Sequence, residues 1–228
     1  MPQPDSNHPV LAHLRAEIRR LEHRPGRREG VIACGLEAVD EVLPAGGFPR
    51  GALSELAGGP ASGKTAVALS LLGHLGPEDL FAWVDGRGEL YPPAAAARGV
   101  DLGRLLVVRP PMTASGSPPP GGDAPWRSAL WASEALLASG AFAAVVMDVP
   151  LPLPRTMNGA DAVARRLQAA AERGGAVGLW IASPQARLRV PAAVRIELST
   201  DGGRIAARRT SGGTAVRVQA GSRGGHAA

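Results

Sequence analysis

Several residue types are scarce in this chain, and each shortage narrows what the protein can be. Its 228 residues contain one cysteine, Cys34. A single thiol excludes an intramolecular disulfide framework and a Cys-rich zinc site. The His residues, at positions 8, 13, 23, 74 and 226, are scattered, and none pairs with Cys or carboxylates at ligand spacing. Aromatic residues are 4% of the chain, and Tyr91 is the sole tyrosine. The longest apolar run, near 141–147, is too short to cross a bilayer. The opening MPQPDSNHPV has neither the basic nor the apolar part of a secretory leader, so a soluble cytoplasmic protein is the expectation. Lysine is almost missing: of 25 Lys and Arg residues, only Lys64 is Lys.

What is present points to one domain. A chain of 23.3 kDa can build a substantial core without covalent staples. The net charge of +5 is unevenly spread. From residue 149 onward, twelve Arg face four acids, Asp161, Glu172, Glu197 and Asp201. A basic end of this kind fits nucleic acid or an acidic partner, and equally a solvated Arg-rich surface. DNA contact, if it occurs, falls to Arg187, Arg189, Arg204, Arg208, Arg209 and Arg217.

Periodicity gives the organisation. Leu11, Leu14, Ile18 and Leu21 recur at helical spacing, which predicts an amphipathic helix over 8–24 that ends at Pro25-Gly26. That stripe serves either to dock the helix on its own domain or for self-association. Apolar runs at 51–57, 79–85, 104–109, 142–148 and 176–182 read as buried strands. Helical segments at 64–75, 92–98, 125–139 and 159–173 lie between them, so the expected core is α/β, with a mostly parallel sheet flanked by helices. After residue 190, VRIELS, RIAARR and TAVRVQ, separated by DGG and SGG turns, predict antiparallel strands at one edge. The division expected is a helix and linker over 1–30, a core over 31–219 and a disordered tail over 220–228. Residues 110–125 form a Pro/Gly/Ser loop with no assignable chemistry.

The run Gly58-Gly59-Pro60-Ala61-Ser62-Gly63-Lys64-Thr65 matches GxxxxGK[ST]. It follows an apolar strand and opens a helix, which is the setting the motif requires. Glycines let backbone N–H groups wrap phosphates, and the helix N-terminus favours anions. Lys64 would neutralise the β- and γ-phosphates, and the Thr65 hydroxyl would hold Mg²⁺. The only lysine in the chain stands where this motif demands one. Phe142–Asp148 is an apolar strand ending in a carboxylate, the form of a segment whose Asp148 holds Mg²⁺ through water. Asp85 ends a second strand at the same edge.

These segments resemble the RecA/Rad-type recombinase core. The resemblance runs without a gap from Asp40-Glu-Val-Leu-Pro through Gly46-Gly47-Phe-Pro49, Gly51, Glu55 and Gly58 to Thr65, and again from Phe81 through Asp85 to Asp101 and Leu105-Leu106. AVVMD and AAVRIEL are similar to later strands of that core, for coverage of about 32–219. The resemblance implies binding of ATP with Mg²⁺. It also exposes departures. The family's water-activating glutamate lies two residues after Asp85, where this chain has Arg87, a cation that cannot act as a general base. Glu89, two residues on, is the only nearby substitute. The family's adenine-stacking tyrosine falls at Ala94, and Tyr91 would have to replace it. The DNA-binding loops are reduced to PLPLPRTMNG (150–159) and PQARLRVP (184–191).

A short RecA-like chain that keeps its nucleotide loop and lacks recombinase loops resembles the ImuA proteins of bacterial damage-induced translesion mutagenesis, part of the SOS response. That resemblance implies an ATP-binding accessory role in DNA repair, with RecA or an ImuB-type polymerase as partner and weak or absent hydrolysis. Two alternatives stay open. One is an ATP-dependent RecA/Rad-type recombinase mediator whose turnover DNA stimulates. The other is a SulA-like cell-division inhibitor that works by binding alone.

Overall fold

The computed structural model describes residues 30–110, 125–149, 160–182, 192–211 and 214–217. The expected helix over 8–24, most of the 110–125 loop, both shortened loops with Arg187 and Arg189, and the 220–228 tail lie outside the described residues.

Eight strands form one sheet. In chain order they are β3 (Ala52–Ala57), β4 (Leu80–Asp85), β5 (Leu105–Val108), β6 (Phe142–Asp148), β7 (Val177–Ile181), β8 (Val194–Asp201), β9 (Arg204–Ser211) and β10 (Thr214–Arg217). The spatial order is β10-β9-β8-β3-β7-β6-β4-β5. From β8 to β5 every pairing is parallel, and β8, β9 and β10 pair antiparallel. The expected α/β core with an antiparallel meander at one edge is therefore what forms. A small ribbon of β1 (Val31–Ile32) and β2 (Phe48–Pro49) precedes it, with a short helix α1 (Glu37–Asp40) between. Sequence periodicity missed these pieces, because two-residue strands and a one-turn helix are shorter than any repeat.

The helices are α2 (Lys64–Gly73), α3 (Pro92–Ala96), α4 (Pro125–Ala138) and α5 (Ala160–Gly174). Strand alternation divides the core between the two faces of the sheet. Leu56, Phe81, Trp83 and Val146 pack with Val67, Leu71 and Leu72 of α2 and Ala95 of α3. Leu53, Val84, Val145 and Met147 pack with Ala129 and Leu137 of α4 and Ala164 and Leu167 of α5. Each fully buried Leu or Val contributes about 1.5–3 kcal/mol, so two apolar faces hold the sheet rigidly between two helix layers. Connections that run toward β4 lie on one face and those that return toward β7 on the other, as right-handed crossovers require. The consequence for function is that the carboxyl ends of β3, β4 and β6 open on one edge of the sheet.

No helix among the described residues is long and apolar enough to cross a membrane.

Candidate functional site

The loop after β3 carries the site. Gly63, with φ +91, caps α2 in a left-handed conformation, and its carbonyl accepts the first helical bond from Val67 N–H at 2.9 Å. Glycine is favoured here by that φ, and a Cβ would also lie 2.9 Å from Cδ1 of Ile205, which would have to shift. Gly58, with φ +147, meets a second close approach: a Cβ would lie 2.4 Å from the carbonyl oxygen of Leu198. The β8–β9 hairpin thus lies against the loop. It is tied there by Thr200, whose Oγ1 donates to the Ala61 carbonyl at 2.6 Å.

Lys64 curls back over its own loop. Its Nζ donates to the carbonyls of Gly58 at 2.6 Å and Gly59 at 2.7 Å, and lies 3.2 Å from Oγ of Ser62. Burial lowers the pKa of the ammonium, the charge of Arg87 lowers it further, and Asp148 opposes both. Thr65 is exposed in the first turn of α2. A cleft of about 340 Å³ opens here, lined by Ala61, Ser62, Gly63, Lys64, Thr65, Ala66, Leu69, Ala94 and Arg98. The run 58–65 and the first turn of α2 therefore do come together around one hollow.

Tyr91 does not line this cleft. It is 67% exposed, in extended conformation just before the Pro92-Pro93 start of α3. One helical turn further on, Ala94 and Arg98 form the wall. Arg98 was not legible as a site residue, since a lone Arg on a short Ala-rich helix carries no motif.

The two strand-end carboxylates are register partners, Asp85 on β4 opposite Asp148 on β6. They have different occupations. Asp85 is sealed into structure: Oδ1 accepts from Glu89 N–H at 3.0 Å, while Oδ2 accepts from Leu90 N–H at 3.3 Å and from Arg109 Nε at 2.9 Å. Asp148 Oδ1 accepts from Arg87 Nε at 2.8 Å. Burial raises the pKa of the Asp148 carboxyl, and the Arg87 charge and hydrogen bond offset only part of that rise. Glu89 is exposed, and its backbone is held by Asp85.

Of the residues expected to hold magnesium, Thr65 is exposed, and Asp148, expected to act through water, accepts from Arg87 on Oδ1. Among the described residues, no group of three or more His, Cys, Asp and Glu could hold a metal ion.

The basic end divides as well. Along β9, Arg204 and Arg208 share one face, and Arg209 falls on the other with Ile205 and buried Ala207. Arg208 is paired with Glu197, its register partner on β8. Arg217 belongs to β10. Among the described residues, the arginines of β9 therefore lie on both faces of the sheet. A further pair was not anticipated: Arg195 of β8 donates through Nε to Oε2 of buried Glu55 at 2.7 Å, across adjacent strands.

Comparison with known proteins agrees with this architecture. Residues 13–156 match the family described as RecA N-terminal domain. The chain is similar to Protein RecA of Lactococcus lactis subsp. cremoris (strain MG1363), 32% identical over 135 residues that cover 59% of this chain and 32% of that protein. It is 37% identical over 94 residues to Protein RecA of Streptococcus pyogenes serotype M49 (strain NZ131), covering 41% of this chain and 25% of that one. Protein RecA of Streptococcus sanguinis (strain SK36) is 38% identical over 94 residues, again 41% of this chain and 25% of the relative. The chain thus spans a third or less of the length of these relatives. With more than half of its residues matched and the parallel sheet, phosphate-binding loop and strand-end carboxylate in the matching order, this chain belongs to the RecA family.

Proposed function

We propose that this chain is an ATP-binding RecA-family accessory protein of the ImuA type, acting through protein partners in damage-induced mutagenesis rather than by rapid hydrolysis. The carrying observation is the pair between Arg87 and Asp148. Where a RecA-type ATPase needs a carboxylate to activate water, this chain has a guanidinium, and that guanidinium is already engaged. Losing a positioned base costs about 10²–10⁴-fold in rate. The loop 58–65 would bind the phosphates through its backbone N–H groups, with Lys64 turning from the loop carbonyls to the β- and γ-phosphates. Arg98 and Ala94 would flank the base.

RecA and an ImuB-type polymerase are the proposed partners, with non-specific DNA contact by the Arg-rich end. The similarity to proteins named RecA supports the RecA part of this reading. Nothing in the geometry favours the SulA-like alternative over it. The mediator alternative needs Glu89 or another carboxylate as the base, and the backbone of Glu89 is held by Asp85.

Calorimetric titration with ATP tests the site. The expected result is saturable binding that Lys64→Ala abolishes. A turnover assay with and without single-stranded DNA tests the role. Slow hydrolysis that DNA does not accelerate is expected, and Arg87→Glu is expected to raise it. Robust DNA-stimulated turnover by the natural chain would move the assignment to the mediator class.

A further inference from the structure

We infer that Arg87 is the resident counter-cation of Asp148, standing where a divalent ion would otherwise bind, so that fixed protein cations, Arg87 together with Lys64 and Arg98 of the cleft wall, hold nucleotide without a requirement for magnesium. The inference rests on the reading of loop 58–65 as an ATP site and adds to it the form of nucleotide accepted: the free polyphosphate anion.

The placement is built by the backbone. Asp85 and Asp148 end adjacent parallel strands in register. The N–H of Gly86 then donates to the Asp148 carbonyl at 2.9 Å, which holds the chain leaving β4 against the end of β6. The next residue is Arg87, and its Nε reaches Oδ1 of Asp148 at 2.8 Å. The Asp148 side chain is 8% exposed, so its counter-charge comes from the protein rather than from solvent. The Arg87 side chain is 27% exposed and lies on the open side of the pair.

The alternative carboxylate offers a metal nothing. Both oxygens of Asp85 are occupied by Arg109 and by two backbone N–H groups. A magnesium ion coordinated at Oδ1 of Asp148 would have to displace a charge-assisted bond, and at either oxygen it would share the carboxylate with a guanidinium, two cations against one carboxylate. Arginine needs no such exchange. Its bond to Asp148 uses Nε, and the terminal nitrogens of the fork are donors suited to phosphate oxygens. The charges of Arg87 and Asp148 both act on Lys64, in opposite senses. Arg, Lys and Mg²⁺ are interchangeable as clamps on phosphoryl oxygens in what they supply, fixed positive charge.

The test is the affinity of full-length protein for a fluorescent ATP analogue, measured by anisotropy in EDTA and in millimolar magnesium. For the natural chain the two dissociation constants are expected to agree within about threefold, under 1 kcal/mol of difference. An affinity that falls about tenfold or more in EDTA overturns the inference. Arg87→Gln, which frees Asp148, is expected to acquire at least a tenfold preference for magnesium; indifference in that variant also overturns it. Lys64→Ala separates the two readings. Binding that Lys64→Ala abolishes and that EDTA weakens leaves the ATP site standing and removes only the role given to Arg87. No binding in either buffer, or binding indifferent to Lys64→Ala, removes both.

Discussion

Ile205 occupies the space in which a side chain on Gly63 would stand, 2.9 Å from the position of its Cβ. A residue of the antiparallel meander thus forms the back of the phosphate-binding loop, although 142 positions separate the two in the chain. Ile205 also packs against the core cluster beneath α2. Ile205→Ala removes that support while leaving every atom of the loop in place. It is expected to lower stability by about 1–3 kcal/mol, less than a fully buried Ile because the side chain is half-exposed. Nucleotide affinity should fall with it, since the loop loses its backing. Urea denaturation and an ATP titration on the same sample check both. Gly63→Ala should be worse on both counts, because the new methyl meets Ile205 and the backbone must hold φ +91.

How much of this was legible in the sequence depends on distance along the chain. Gly58 to Thr65 could be read because the motif is contiguous and its strand and helix are adjacent. The strand boundaries followed from apolar runs, and the meander from two glycine turns. Arg87 was recognisable as a departure, but its partner was not, because Asp148 lies 61 residues away and only the β4–β6 register brings them together. The same holds for Glu55 with Arg195 and for Ile205 with Gly63. Tyr91 lies in extended backbone before Pro92, outside the lining of the cleft, and Ala94 and Arg98 of the same short helix region form the wall, a placement that no motif carries. One-dimensional patterns carry elements and motifs; they do not carry which side chains a sheet register will set side by side.

Glu55 and Arg195 give the clearest stability prediction. Glu55 is 5% exposed in the central strand β3, and its partner comes from the adjacent β8. Arg195→Met leaves the carboxylate buried without its counter-charge, which costs about 3–5 kcal/mol. The double variant Glu55→Gln, Arg195→Met removes both charges and should recover most of that loss. Chemical denaturation of the natural chain, of Glu55→Gln and Arg195→Met singly, and of the double variant forms the cycle. Equal losses in the single and double variants would show that the pair contributes through packing alone.

Cys34 gives a pH dependence with a definite sign. The thiol is fully buried, and burial pushes its pKa from 9.0 up to about 12. Between those values the folded state keeps a proton that the unfolded state has lost. Unfolding therefore releases a proton, and stability falls as pH rises through that window, by about 1.4 kcal/mol per unit. Below pH 9 the group contributes no slope. Cys34→Ala should remove this component, so the difference in unfolding free energy between the two proteins should change with pH only on the alkaline side. In the native protein the thiol should also resist a disulfide reagent at pH 8 and react at the rate of unfolding.

The arginines of the basic end should contribute unequally to DNA binding. No Phe, Trp or Tyr follows Trp180, so stacking on bases is not available to this part of the chain. What remains is contact with phosphates, which is sequence-tolerant and steeply salt-dependent. Arg208 already faces Glu197 across the β8–β9 ladder, so its charge is largely cancelled locally. Arg204, exposed beside the Gly202-Gly203 turn, also has an acid, Asp201, as its register partner, but forms no ion pair with it among the described residues. Arg209 faces the opposite side of the sheet, in the row of buried Ala207. Arg204→Ala should therefore weaken single-stranded DNA binding and reduce the slope of log affinity against log salt by about 0.7, the value for one phosphate contact on a single strand. Arg208→Ala should change that slope less, because removing it also uncovers Glu197, an acid that repels the backbone. Fluorescence anisotropy with a labelled oligonucleotide at several salt concentrations measures both slopes. Salt-insensitive binding, or a larger effect at Arg208 than at Arg204, would place the contact elsewhere on the molecule.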